Sequence, residues 1–249
     1  VVRAIIALLM IAFAASAHVV PALAAPLVYL RDVDASIAQD IRYASRDNFT
    51  GRPLPGYTAP ECMLRPAAAR ALSQVQAELA AAHLSLKVYD CYRPTRAVAG
   101  MAAWSRQTQD DTDTTRFYPA LNKSRLFALG YIANRSAHSR GVAVDLTLIA
   151  RNAGPAAGFD PAAQYGPCTG PLTERAPDNS LDMGTGFDCF DVKSHTHAAS
   201  ITPAQAANRR LLLEAMRKHG FTNYSREWWH FSYDAADSDT AYNVPIAPR

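Results

Sequence analysis

The sequence predicts one α+β domain: a central, mainly antiparallel sheet with helices packed on one face. Three observations carry that expectation. Ala69, Leu72, Val75, Leu79 and Ala82 recur at helical spacing between Pro66 and His83. Val142, Val144, Leu146 and Leu148 alternate with Ala143, Asp145 and Thr147, which is the period of a strand. No internal repeat and no linker divides the 249 residues, and 49% of them are hydrophobic, enough for one sizeable core.

The elements follow in order. Leu27 to Thr58 reads as strand and loop, with turn signals at Asp47-Asn48, Thr50-Gly51 and Pro55-Gly56. Pro66 suits the first turn of the helix that runs to His83. Leu84, Leu86 and Val88 alternate with Ser85, Lys87 and Tyr89, so a strand follows, and Pro94 ends it. A second helix spans about Thr95 to Ser105. Residues 107 to 119 are mostly polar. Their acidic run, Asp110 to Asp113, lacks the glycine and glutamate spacing of a calcium loop and reads as solvated. After the strand at 142–148, Arg151 to Gly186 is rich in glycine and proline and reads as one elaborated loop. Thr202-Pro203-Ala204-Gln205 is a capping box with proline at the first helical position. Its helix should reach His219 and stop at Gly220. Phe221 to Tyr233 returns as strand.

The first 24 residues stand apart. Arg3, an apolar run from Ala4 to Ala15, and the small-x-small pattern of Pro21-Ala22-Leu23-Ala24 form the three parts of a cleaved secretory signal. Residues 25–249 are then the mature domain of an exported protein, periplasmic or secreted. The apolar stretch is short for a membrane anchor and is interrupted by Ser16, His18 and Pro21, so no stable membrane partner is expected after cleavage. The net charge of +3 is weak, and no basic block or basic-aromatic interleaving points to nucleic acid.

Export changes the reading of the four cysteines. An even number in an oxidising compartment suggests disulfides. Of the three possible connectivities, the local one pairs Cys62 with Cys91 and Cys168 with Cys189. A structural zinc site is disfavoured because no CxxC pair exists.

The chemistry concentrates around Ser136 to Leu148. Asp145 is the one charge in an apolar strand, flanked on its face by the small Ala143 and Thr147. A carboxylate beside a core needs a partner, and a metal is one. Gly141 lets the chain turn so that His138 and Asp145 can meet, and histidine with carboxylate suits zinc. A histidine capping a loop and an aspartate paired with arginine explain the same stretch equally well. For a further ligand, His83 and His219 sit at helix C-termini, where the dipole already favours histidine. His195-Thr196-His197 is a possible metal pair. Glu227-Trp228-Trp229-His230 offers a base and a ligand together. On a regular strand Glu227 and His230 point apart, so a bulge or turn is expected near Glu227.

Taken together, Ser-x-His-x-x-Gly-x-Ala-x-Asp from Ser136 to Asp145 and Glu-x-Trp-His from Glu227 to His230 resemble the D-alanyl-D-alanine dipeptidase family, the VanX-type zinc peptidases. Asp90-Cys91-Tyr92-Arg93-Pro94, Asn48-Phe49-Thr50-Gly51 and Asp182-Met183-Gly184 followed by Phe187-Asp188 match further blocks, in order, over nearly the whole chain after residue 24. The resemblance implies one Zn2+ per chain, on the sheet face opposite the helices, held by His138, Asp145 and His230. It implies Glu227 as general base, Arg93 as oxyanion partner and Asp90 as the group that orients Arg93. Ser136 would help hold the substrate carboxylate, and Tyr43 and Asp188 would receive the free amine of a small D,D-dipeptide. It demotes the His195/His197 pair. Two features depart from the family: the loop over 151–182 is longer than in compact members, and Cys91 stands where a small residue is usual. The rival functions are a D,D-carboxypeptidase or endopeptidase acting on wall stem peptides, and a non-catalytic zinc-containing wall-binding module. Export favours a role in wall-peptide turnover over glycopeptide resistance.

Overall fold

The computed structural model describes residues 26–108, 113–234 and 239–249. The expected signal, 1–24, lies outside them, as do Asp110, Asp111 and Thr112 of the acidic run. Asp113, the remaining member, accepts hydrogen bonds from the Thr115 amide and hydroxyl and is exposed.

Among the described residues, seven strands form: β1 (Val28–Tyr29), β2 (Ala38–Gln39), β3 (Met63–Leu64), β4 (Leu84–Asp90), β5 (Ala143–Ala150), β6 (Phe221–Asn223) and β7 (His230–Tyr233). Four α-helices accompany them: α1 (Leu30–Val33), α2 (Pro66–Ala80), α3 (Thr95–Ser105) and α4 (Pro203–Lys218). β1 and β3 make a small antiparallel ladder. The other five form a sheet in the order β2-β4-β5-β7-β6, antiparallel except for β2 beside β4. α2 packs on β4, α4 on β5 and β6, and the two helices touch each other.

Local chemistry explains these elements. At α4, Thr202 accepts a hydrogen bond from the Gln205 amide while the Gln205 side chain accepts one from the Thr202 amide, satisfying two orphan donors of the first turn. His219 caps its end and also meets Glu78 of α2 at 2.8 Å, joining the helices. α2 stops at Ala80, three residues before the expected end, because residues 81–83 turn through His83 at φ 57 into β4. Phe221 to Tyr233 is two strands rather than one, folded back at Tyr224–Trp229. In β5, Ala143, Asp145 and Thr147 are buried, as are Val144 and Leu146 on the other face.

Both disulfides form as expected, Cys62–Cys91 and Cys168–Cys189. The latter staples the irregular stretch that leaves β5. That stretch is also pinned by Asp178, which meets Lys87 Nζ and the Tyr89 hydroxyl at 2.6 Å each and Arg42 at 3.1 Å. Burial alone would raise the Asp178 pKa, but Arg42 and Lys87 outweigh it and hold it at about 2.

Candidate active site

The site is assembled across three strands. β4 carries a bulge between Val88 and Asp90, after which Asp90 stands opposite Asp145, and Asp145 stands opposite His230 of β7. Opposed residues on neighbouring strands share a face, so the bulge re-aims Asp90 into a row with the other two. His138 joins the row from a 3-10 turn, Ala137–Arg140, just before β5. The Ser136 hydroxyl caps that turn by accepting from the His138 amide at 3.2 Å. Gly141 ends it at φ 71, a left-handed conformation that glycine adopts without penalty. A Cβ at Gly141 would also collide with the Leu27 side chain.

His138, Asp145 and His230 each offer a ligand atom, all within 4.8 Å of one another. The Cys91 carbonyl lies 2.6 Å from His138 Nδ1, with Asp90 Oδ2 behind it at 3.3 Å. Both are acceptors, so Nδ1 carries the proton and Nε2 presents a lone pair. Nε2 faces His230 Nδ1 at 3.1 Å and Asp145 Oδ1 at 3.3 Å, and those two are 2.9 Å apart. Three acceptor-capable atoms thus converge on one point. A single proton between them serves one contact, whereas a cation serves all three. Two imidazoles and a carboxylate with an open side are the donor set of a hydrolytic zinc site. Burial would raise the Asp145 carboxyl, but the two histidines outweigh it and hold it well below the usual range.

Arg93 borders this cluster. Its guanidinium contacts Asp90 Oδ2 through Nε at 2.9 Å and Nη2 at 2.8 Å, reaches Asp145 Oδ2 at 3.5 Å, and lies over the Tyr43 ring at 4.8 Å. The Tyr57 hydroxyl donates to the other oxygen of Asp90 at 2.5 Å. Burial opposes the charge on Arg93, but Asp90 beside it outweighs that and raises its pKa.

Glu227 sits in the expected turn. Its amide donates to the Tyr224 carbonyl, and its own carbonyl accepts from the His230 amide at 3.2 Å. That fold brings its carboxylate within 3.9 Å of His230 Nδ1. Burial pushes the carboxyl up to about 7, against the pull of His230.

Opposite lies a second acid. Asp188 is buried, accepts from the Tyr43 hydroxyl at 2.8 Å, and has φ 55. Aspartate tolerates that left-handed conformation better than most residues. Its neighbour Phe187 stacks on Tyr89 at 4.7 Å, and its other neighbour, Cys189, is disulfide-bonded. Burial and the nearby Asp145 raise the Asp188 pKa well above the carboxylate range.

Tyr43, Arg93, Ser136, His138, Asp145, Asp188, Glu227 and His230 all line one cleft of about 840 Å3. Every candidate site residue outside the cysteines therefore faces it except Asp90, which stands behind Arg93. His195 and His197 do not join the cluster: the His195 carbonyl serves Arg209, and His197 is exposed. Sequence reasoning missed Tyr57 and the Cys91 carbonyl, as well as Tyr131, Arg135 and Tyr224 on the cleft wall. Tyr57 lies 33 residues from Asp90 with no local pattern to link them.

A family model and the curated relatives agree on one family. A peptidase M15 family model, described as D-ala-D-ala dipeptidase, matches residues 23–159 and 172–247. The gap between the matched spans falls within the long loop. A D-alanyl-D-alanine dipeptidase of Streptomyces coelicolor is 36% identical over 220 residues, covering 88% of this chain and 97% of that protein. Its namesake in Enterococcus faecalis is 34% identical over 221 residues, covering 88% and 98%. That of Escherichia coli is 32% identical over 212 residues, covering 85% and 86%. Among solved structures, a zinc-bound mutant of the vancomycin-resistance D,D-pentapeptidase VanY aligns at TM-score 0.37 and 15% identity, over 72% of this chain and 79% of that one.

Proposed function

The chain belongs to the D-Ala-D-Ala dipeptidase family, and from that premise we propose that it is a zinc-dependent enzyme that hydrolyses free D-Ala-D-Ala to D-alanine. The observation that carries this reading is the convergence of His138, Asp145 and His230 on one point, with Glu227 beside it and Asp188 across the cleft. One zinc ion would be held by His138 Nε2, an Asp145 oxygen and His230 Nδ1. When bound, zinc supplies Lewis acidity, polarising a peptide carbonyl and making water nucleophilic near neutral pH. The alternation along β5 supports a site on the sheet face opposite Val144 and Leu146.

The protein's own groups do the rest. Glu227 takes the proton of the attacking water and delivers it to the leaving amine, and its elevated pKa makes both transfers accessible near neutrality. Arg93, aimed by Asp90, faces the developing oxyanion. A fixed charged donor there is worth about 3 kcal/mol in the transition state. Asp188 and Tyr43 receive the substrate ammonium. Burial raises the Asp188 pKa, and an ammonium beside it would favour the charged carboxylate. A blocked amine would leave the buried Asp188 unpaired, which excludes longer peptides. Ser136 remains beside the carboxylate end of the cleft.

We further propose that residues 1–24 are a cleaved export signal and that the enzyme acts on wall-derived dipeptide outside the cytoplasm. Two disulfides suit an oxidising compartment. A mature N-terminus at Ala25 in the exported fraction supports this, and uncleaved protein in the cytoplasm overturns it.

The deciding experiment is hydrolysis by zinc-loaded protein of D-Ala-D-Ala, its N-acetylated form and L-Ala-L-Ala. Release of D-alanine from the free D,D-dipeptide alone is expected. Equal cleavage of the acetylated form would make it a wall carboxypeptidase. Zinc binding without any cleavage would make it a binding module.

A further inference from the structure

Each disulfide is attached directly to one side of the cleft. Cys91 lies at the point where the chain leaves β4, between Asp90 and Arg93. Its carbonyl is the nearest acceptor to His138 Nδ1, at 2.6 Å. With Asp90 Oδ2 behind it, that contact holds the proton on Nδ1 and leaves Nε2 of His138 free for a metal. What steadies the carbonyl is the segment around Cys62. The Cys62 amide donates to Gln39 Oε1 at 2.8 Å and its carbonyl accepts from the Leu30 amide at 2.9 Å, while the Tyr92 amide donates to the Met63 carbonyl at 2.8 Å. The Cys62–Cys91 bond ties the departing chain to that anchored segment.

The second bond does the corresponding work across the cleft. Asp188 sits in a left-handed conformation with Cys189 next to it. Cys189 is bonded to Cys168, whose amide donates to the Arg116 carbonyl at 2.8 Å and whose carbonyl accepts from the Gly186 amide at 2.9 Å. The Cys189 carbonyl accepts from Ser194 Oγ at 2.6 Å. Asp188 thus lies on a five-residue span, Gly186 to Phe190, that is bound on both sides of it.

We propose that the two disulfides are separate positioning elements: Cys62–Cys91 aims His138 for metal retention, and Cys168–Cys189 aims the Asp188 carboxylate for recognition of the substrate amine. The assignment rests on the zinc dipeptidase reading. It treats neither bond as general reinforcement, and so it predicts that the two removals differ in kind.

The test compares Cys62→Ala/Cys91→Ala with Cys168→Ala/Cys189→Ala in the full chain. Three quantities are read: zinc affinity by competition with a chromophoric chelator, kcat and KM for D-Ala-D-Ala at saturating zinc, and the preference for the free over the N-acetylated dipeptide. Outer contacts to a metal ligand are worth roughly 10- to 100-fold in affinity, so the first variant should lose about that much zinc affinity and keep its amine preference. The second should keep its zinc affinity and show KM for the free dipeptide raised about tenfold, with the preference reduced. If both variants lose all three quantities together, or neither loses any, the bonds are not separate positioning elements. Should a variant fail to fold, opening one bond in the folded wild type by mild reduction and alkylation yields the same readouts. Wild-type protein that binds no zinc overturns the metal reading, and this assignment with it.

Discussion

The two sides of the cleft are built by different means. The side that carries Asp145 and His230 rests on β5 and β7, central strands whose ladder bonds fix both backbones, and Asp90 joins them through a bulge. On the other side, neither Asp188 nor Tyr43 belongs to a strand. Tyr43 sits in a 3-10 turn, Arg42–Ala44, and Asp188 in a loop held by a disulfide and by neighbouring buried ion pairs. Two of the metal-facing groups stand on central strands, with His138 and Glu227 in turns directly joined to those strands, whereas recognition stands on loops away from them. A change on the first side should therefore cost turnover, and one on the second should cost selectivity.

The largest test of that division is Glu227→Ala. It should lower kcat about 1,000-fold with KM little changed, in steady-state assays on D-Ala-D-Ala. Activity should also fall as pH drops through the Glu227 pKa. That value is about 7 without a cation nearby and lower with one, so the acid limb of a pH–rate profile should lie below 7. Asp188→Asn should act on the other side, raising KM about 100-fold and narrowing the gap between free and acetylated substrate. If it lowers kcat alone, the division fails.

Asp178→Ala probes the support of the recognition side rather than the groups in it. It takes one carboxylate from Arg42 and Lys87, which both keep Asp40 while Arg42 also keeps Asp47, at a cost of about 2 kcal/mol in denaturant unfolding. The same carboxylate gives a pH signature. Its folded pKa of about 2 lies below an unfolded value near 4, so its stabilisation is complete above pH ~4 and is lost as pH falls towards 2. The variant should show a shallower loss of stability across that window. The smallest effect belongs to Thr202→Ala, which removes half of the α4 capping box. About 1 kcal/mol of stability should go, with zinc affinity and kcat/KM unchanged.

What the sequence made legible follows the same division. α2 and α4 begin where expected, because proline and a capping box mark their first turns in the chain itself. The turn at Glu227 was expected because a strand period would have parted Glu227 from His230. The pairing of the cysteines needed only their proximity along the chain. By contrast, the Asp178–Arg42–Lys87 network and the Tyr57–Asp90 bond join residues 33 to 136 positions apart, and no local period announces such contacts. Nor could side-chain chemistry reveal the Cys91 carbonyl as the partner of His138, since every residue owns a carbonyl. The small Ala143 and Thr147 beside Asp145 were legible as room for a ligand, and Asp145 does line the cleft.

Gly141 has a bearing on how this protein should be handled at the bench. The Leu27 side chain fills the space where a Cβ would stand, and the Arg65 amide donates to the Gly141 carbonyl at 2.8 Å beside it. The extreme amino-terminal end of the described chain is thus a wedge behind the turn that bears His138. Affinity tags and fusion partners belong upstream of residue 26, and trimming the protein past Leu27 to aid crystallisation would loosen that turn from behind. In a mutagenesis library, codon 141 should favour glycine even where position 27 is shortened, because φ 71 strains any other residue there.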